Sequence, residues 1–186
     1  LDDQASFFLA YTELLNAQYE FAMLQLKRFR KETTSYYANE ALEWRALLIE
    51  STQKSPDTTI YNSGLELLAR ADWYLKKNER MEAKQMLDSL QNNSSLLLKQ
   101  HAYVNLLKHD FELPTEQLNA ISNFIQGENS QLIGMDELIW HLLLYNKRRN
   151  LASETQQDAL IQKLLIDFPS SVFANQARQT FNPSFS

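Results

Sequence analysis

The pair of side chains best spaced for chemistry is Glu137 and His141, four residues apart on what reads as one helix face. A carboxylate and an imidazole at that spacing could share a metal ion, but a closed site needs three or four convergent ligands. The other imidazoles, His101 and His109, lie well upstream. The pair therefore reads as a helix-surface ion pair, and neither metal nor cofactor is expected. The chain has no cysteine, so thiolate ligands, cysteine nucleophiles and disulfides are excluded. It contains no His-Glu-x-x-His, no phosphate-cradling glycine loop and no Gly-x-Ser-x-Gly elbow. No residue is assigned a catalytic role, and the expectation is a protein that is not an enzyme.

Charge narrows the partners. The formal net charge of −5 is spread along the 186 residues rather than blocked, and no basic stripe is present to neutralise phosphates. Nucleic acid is not an expected partner. The clusters Lys27-Arg28-Arg30-Lys31, Lys76-Lys77-Arg80-Lys84 and Lys147-Arg148-Arg149 fall at helix C-termini or the turns after them. There, positive charge complements the helix dipole. No run approaches the ~20 apolar residues that span a bilayer. The start at Leu1, without Met or a basic-then-apolar leader, reads as a processed or truncated end.

These side chains must be carried by helices. Only three glycines and four prolines occur, and apolar residues recur at three- and four-residue spacing from end to end. The pattern predicts ten helices. The first starts at Asp2-Asp3 and ends near Asn16; the others cover about 18–31, 36–52, 58–77, 80–91, 95–109, 115–126, 135–145, 153–167 and 171–181. The punctuation falls at 32–35, Ser55-Pro56-Asp57, Asn92-Asn93-Ser94, Leu113-Pro114-Thr115, Gly134 and Pro169. Residues 1–181 read as one helical repeat domain, and 182–186 as a frayed tail.

Internal similarity decides between a closed bundle and stacked hairpins. The stretches Ala22 to Leu42 and Ala159 to Arg178 both give an apolar helix, a polar break, an aromatic, and then Ala-Asn-Glu/Gln-Ala. These are Tyr37-Ala38-Asn39-Glu40-Ala41 in one and Phe173-Ala174-Asn175-Gln176-Ala177 in the other. A third, degenerate copy runs from Ala83 to Ala102.

In these features the chain resembles the tetratricopeptide family, whose units of about 34 residues are helix pairs with small residues at the crossing. Leu9, Ala10, Ala17, Tyr19 and Ala22 match its packing positions, as do Leu67, Ala71, Tyr74, Ala83 and Leu87. Ala38, Ala41, Ala174 and Ala177 are read the same way. The Phe168-Pro169-Ser170-Ser171 turn and the Tyr-Ala-x-x-Ala helix start look like the variant in bacterial envelope proteins. Those include the periplasmic Tol–Pal-associated repeat protein and the lipoprotein of the outer-membrane β-barrel assembly machine. The alternation of first and second helices slips phase around residues 51–63.

The resemblance implies an all-α, irregular helical-hairpin solenoid that holds a protein partner in a groove, as a possible subunit of a larger complex. It also implies a periplasmic or outer-membrane-associated location. Groove-lining residues would be Tyr11, Glu13, Trp44, Arg45, Lys99, Tyr103, Asp136 and Trp140. The alternative is a regulatory or catalytic closed bundle with a pocket near Trp140 and His141. An unpaired charge at a helix crossing leads to a concrete expectation: Ala41→Asp or Ala83→Asp collapses the fold, seen as loss of the cooperative helical melt by circular dichroism.

Overall fold

The computed structural model describes residues 3–29, 37–53, 58–93, 95–127 and 132–181. Among them are ten α-helices and no strand. They are α1 (Asp3–Leu15), α2 (Tyr19–Leu26), α3 (Ala38–Gln53), α4 (Thr58–Lys76), α5 (Arg80–Leu90), α6 (Leu96–Lys108), α7 (Thr115–Gln126), α8 (Met135–Arg149), α9 (Glu154–Asp167) and α10 (Val172–Phe181). The expected breaks and caps at Asp2, 32–35, 55–57 and Ser94 and the tail 182–186 lie outside the described residues. The chain divides into two compact units, Leu1–Ala102 and Tyr103–Ser186.

In the first unit α1 packs on α2, α2 on α3, α4 on α1 and α3, and α5 on α4. Phe7, Ala10, Tyr11 and Leu14 form the i, i+3, i+4, i+7 stripe that α1 buries. The chain reverses at Ala17, which takes the left-handed conformation at φ 57°. Gln18 N–H donates to Glu13 O at 2.8 Å and Ala17 N–H to Leu14 O at 3.1 Å, a Schellman cap that satisfies two carbonyls the helix end leaves free. The α4–α5 turn repeats this at Asn78, φ 62°, with Glu79 N–H to Tyr74 O at 2.8 Å and Asn78 N–H to Leu75 O at 3.0 Å.

The two hairpins correspond position for position. Ala10 matches Ala71, Ala22 matches Ala83 and Leu26 matches Leu87, and all six side chains are fully buried. Alanine at these places lets the paired backbones approach, and a longer side chain would hold them apart. Gly64 instead makes room for side chains, because a Cβ there would sit 2.6 Å from Leu98 Cδ1 and 2.8 Å from Asn93 Nδ2.

The second unit is built around α8, which buries Met135, Leu138, Ile139, Trp140, Leu142, Leu143 and Tyr145 against α7, α9 and α10. Tyr145 fixes the loop after α6: its hydroxyl donates to Phe111 O at 3.0 Å and accepts from Leu113 N–H at 3.2 Å. Arg148 donates to Leu107 O, and Arg149 to the Asp110 carboxylate and carbonyl. Ser153 caps α9 with a reciprocal Gln156 bond.

The aromatic-Ala-x-x-Ala stretch does the same work in each unit. Ala38 and Ala41 are buried at the start of α3, Ala174 and Ala177 in α10. The preceding ring packs on neighbouring side chains of an earlier helix: Tyr37 on Phe7 and Phe8 of α1, Phe173 on Trp140 and His141 of α8.

Several expectations are corrected. The described part of the second helix ends at Leu26, short of Lys31, because Lys27 and Arg28 already form a turn. Conversely, α8 runs on through Lys147, Arg148 and Arg149 and turns at Asn150, φ 52°, so the basic residues are its last turn rather than the connection. Leu9 is 39% exposed, since it sits one residue before the buried stripe position Ala10. Ala17 is exposed too and acts through its backbone. Tyr19 and Tyr74 are half-buried.

Left-handed backbone costs alanine but not glycine. Ala17→Gly is therefore expected to stabilise the protein by roughly 1 kcal/mol in chemical denaturation, provided the turn keeps its geometry.

Candidate functional surface

The most connected side-chain cluster joins α1, α3 and α4. The Tyr11 hydroxyl donates to Asp72 Oδ2 at 2.6 Å and lies 3.2 Å from Ala69 O. Lys76, one helical turn beyond Asp72, donates to that carboxylate and to Glu40 Oε1 of α3 at 2.6 Å, with its ammonium 5.0 Å from the Tyr11 ring centroid. Burial, and then the Asp72 carboxylate, push the Tyr11 phenol far above its ordinary pKa, with a further push from Glu40. Burial opposes the charge on Lys76, but Asp72 and Glu40 outweigh it and leave its pKa raised. Near neutrality the phenol keeps its proton and the ammonium its charge, and the cluster ties three helices together.

Around this cluster the aromatic rings form a continuous series. Phe8 meets Tyr37 edge-on at 5.5 Å, Tyr37 stacks on Phe7 at 5.0 Å, Phe7 on Tyr11 at 6.0 Å, and Tyr11 meets Trp73 at 6.2 Å. Trp44 closes on Tyr11 from α3 at 6.2 Å. The middle of the series is core, while its ends, Phe8 at 43% and Trp73 at 40% exposure, reach solvent.

The expected groove residues separate into distinct environments. Tyr11, Trp44, Tyr103 and Trp140 are buried, so their assignment as outward residues is corrected. Each lies on the apolar stripe of its helix, and large aromatic area is driven inward wherever a neighbouring helix can cover it. Tyr103 packs on Phe124, and Trp140 is covered by Phe173 and Phe181.

Arg45 is half-buried and donates to Phe29 O, beyond the turn that follows α2. Asp136 accepts from Ser171 Oγ at 2.6 Å and so ties the α9–α10 turn to α8. Glu13 and Lys99 are half-exposed. Glu137 and His141 approach to 3.6 Å, and among the described residues no group of three or more His, Cys, Asp or Glu side chains gathers as a metal site would. No described helix is long and apolar enough to cross a membrane.

Sequence reasoning missed Phe8 as a surface residue, Trp73 and the Asp72–Lys76–Glu40 bridge. One signal was legible: Trp73 falls between Arg70 and Lys77 at helical spacing, a large ring on an otherwise polar face. No family model matches the chain, and neither a curated protein nor a solved structure does.

The raised pKa values fix a sign. Stability gained from keeping Tyr11 neutral and Lys76 charged is complete below their ordinary values of 10.0 and 10.5, and falls as pH rises above them. Tyr11→Phe is expected to cost about 1–2 kcal/mol at neutral pH through the lost hydrogen bonds. Its stability should then decline less steeply than that of the wild type above pH 10.0, as read from urea midpoints across the alkaline range.

Proposed function

We propose that the protein is a non-catalytic interaction scaffold of the tetratricopeptide-like kind, in which stacked helical hairpins present a surface to a segment of a protein partner. The observation that carries this reading is the pair of equivalent hairpins in the first unit, with matched left-handed caps at Ala17 and Asn78 and matched buried alanines. Hairpins of that type stack side by side and expose one row of helices for binding. The return of the aromatic-Ala-x-x-Ala stretch in α3 and α10 supports the same reading. The resemblance of 164–178 and 35–44 to bacterial envelope repeat proteins favours a periplasmic or outer-membrane-associated assembly.

Within that reading, Phe8 and Trp73 are the contact residues of the first unit, with Glu13 beside them in sequence on α1. Rigid aromatic anchors whose inner neighbours are already fixed lose little conformational freedom on binding. Their backing by Tyr37, Phe7 and Tyr11 is of that kind.

A photo-reactive side chain at position 8 or 73 is expected to form a discrete protein adduct in the native host, and one at exposed Met81 is not. Phe8→Ala combined with Trp73→Ala should weaken partner binding by roughly 2 kcal/mol or more while leaving the melting curve near that of the wild type. Adducts equally abundant at Met81, or full binding by the double variant, would contradict the assignment.

A further inference from the structure

The outward face of α2 leaves two large apolar side chains in water. Phe21 and Leu24 stand 58% and 57% exposed, one turn apart, and Lys27 and Arg28 continue the same face. Lys27 keeps a helical backbone as the C-cap of α2, so Phe21, Leu24 and Lys27 fall within about a third of the helix circumference at 100° per residue, and Arg28 follows in the turn. Elsewhere in this unit, Arg70, Lys76, Lys77 and Lys84 each pair with a carboxylate. Lys27 has no carboxylate partner among the described residues, and Arg28 donates to the Ser6 hydroxyl alone.

Two apolar side chains that the fold leaves in water are followed by two cations and preceded by one acid, Glu20, so the face carries a net positive charge. We propose that this face of α2 rests on an anionic lipid surface, with the Phe21 and Leu24 side chains entering the interfacial region and Lys27 and Arg28 meeting the headgroup phosphates.

A bilayer suits the site better than an acidic peptide does. A helix face is convex, so Phe21 and Leu24 project without walls around them. A fluid interface receives projecting groups without a matching cleft, whereas a protein partner would have to bring one. The net charge of −5 does not oppose this strongly, since at physiological salt charges more than about 8 Å away are largely screened and the local cations dominate. Glu20 is the one acid on the face, and it lies at the end away from Lys27 and Arg28. The attachment is peripheral and reversible, because two apolar side chains and two cations anchor far less firmly than a spanning helix. The inference is independent of the partner surface at Phe8 and Trp73.

Co-sedimentation of the full chain with phosphatidylglycerol–phosphatidylcholine vesicles and with pure phosphatidylcholine vesicles tests it. The wild type is expected to bind the anionic vesicles preferentially and to release as salt rises. Phe21→Ser with Leu24→Ser should weaken that binding roughly tenfold or more, and Lys27→Glu should weaken it with a shallower salt dependence. Both replacements are at exposed positions, and unchanged thermal melts establish that each variant is folded. Equal binding to neutral vesicles, no binding to either, or undiminished binding by the folded Phe21/Leu24 variant would overturn the proposal. So would a wild-type dimer in sedimentation equilibrium that the same variant abolishes, which would make the face a self-association surface.

Discussion

Close approach of paired helices at alanine is the constraint on which the first unit depends. At Ala10, Ala22, Ala71 and Ala83 no side chain is long enough to separate the backbones, so dispersion contacts and buried area are set by how nearly two cylinders can touch. The left-handed turns at Ala17 and Asn78 make that approach possible over short connections, because each cap satisfies carbonyls that a slacker reversal would leave open. Crossing and cap are thus one device, used twice. Around it, Leu26 and Leu87 fill corresponding places in the core.

A polar tie is laid across this apolar frame. Tyr11, Asp72, Lys76 and Glu40 come from three helices, and every charged group among them has an opposite charge or a donor within reach. Buried polar groups contribute little net stability when satisfied and are costly when one partner is removed, so such a network fixes the helix arrangement more than it strengthens it. The surrounding rings inherit that fixity, and Phe8 and Trp73 are held at the surface by neighbours that cannot move independently. In the second unit Tyr145 has the comparable place, locking the loop at 110–114 to the end of α8. There the tie joins a helix to a loop, and the central helix is buried on nearly every side.

Much of the helical pattern was legible because it depends on local terms. Pro114, Pro169, Asn78 and the Asn92-Asn93 pair break helices for backbone reasons that need no distant partner, and the observed boundaries fall near them. The errors have equally local causes. Lys147, Arg148 and Arg149 read as a connection but are good helix formers, and α8 continues through them to the left-handed stop at Asn150. For the surface, periodicity told which side chains share a helix face but not whether another helix covers it. Tyr11, Trp44, Tyr103 and Trp140 therefore read as outward and proved to be core, while the exposure of Phe8 and Trp73 went unnoticed.

The sequence by itself determined an all-helical chain, the positions of most breaks, the alanines at the crossings and the recurrence of one aromatic-Ala-x-x-Ala helix start. Each follows from backbone preference or from the 3.6-residue period, and both act within a few residues. Tertiary structure alone decided which aromatic rings are buried, that Asp72 and Lys76 of α4 meet Tyr11 of α1 and Glu40 of α3, and that Phe21, Leu24, Lys27 and Arg28 are left facing solvent. The reason is that burial and charge pairing between distant residues depend on which helix faces are brought together, and that is a property of packing rather than of spacing along the chain.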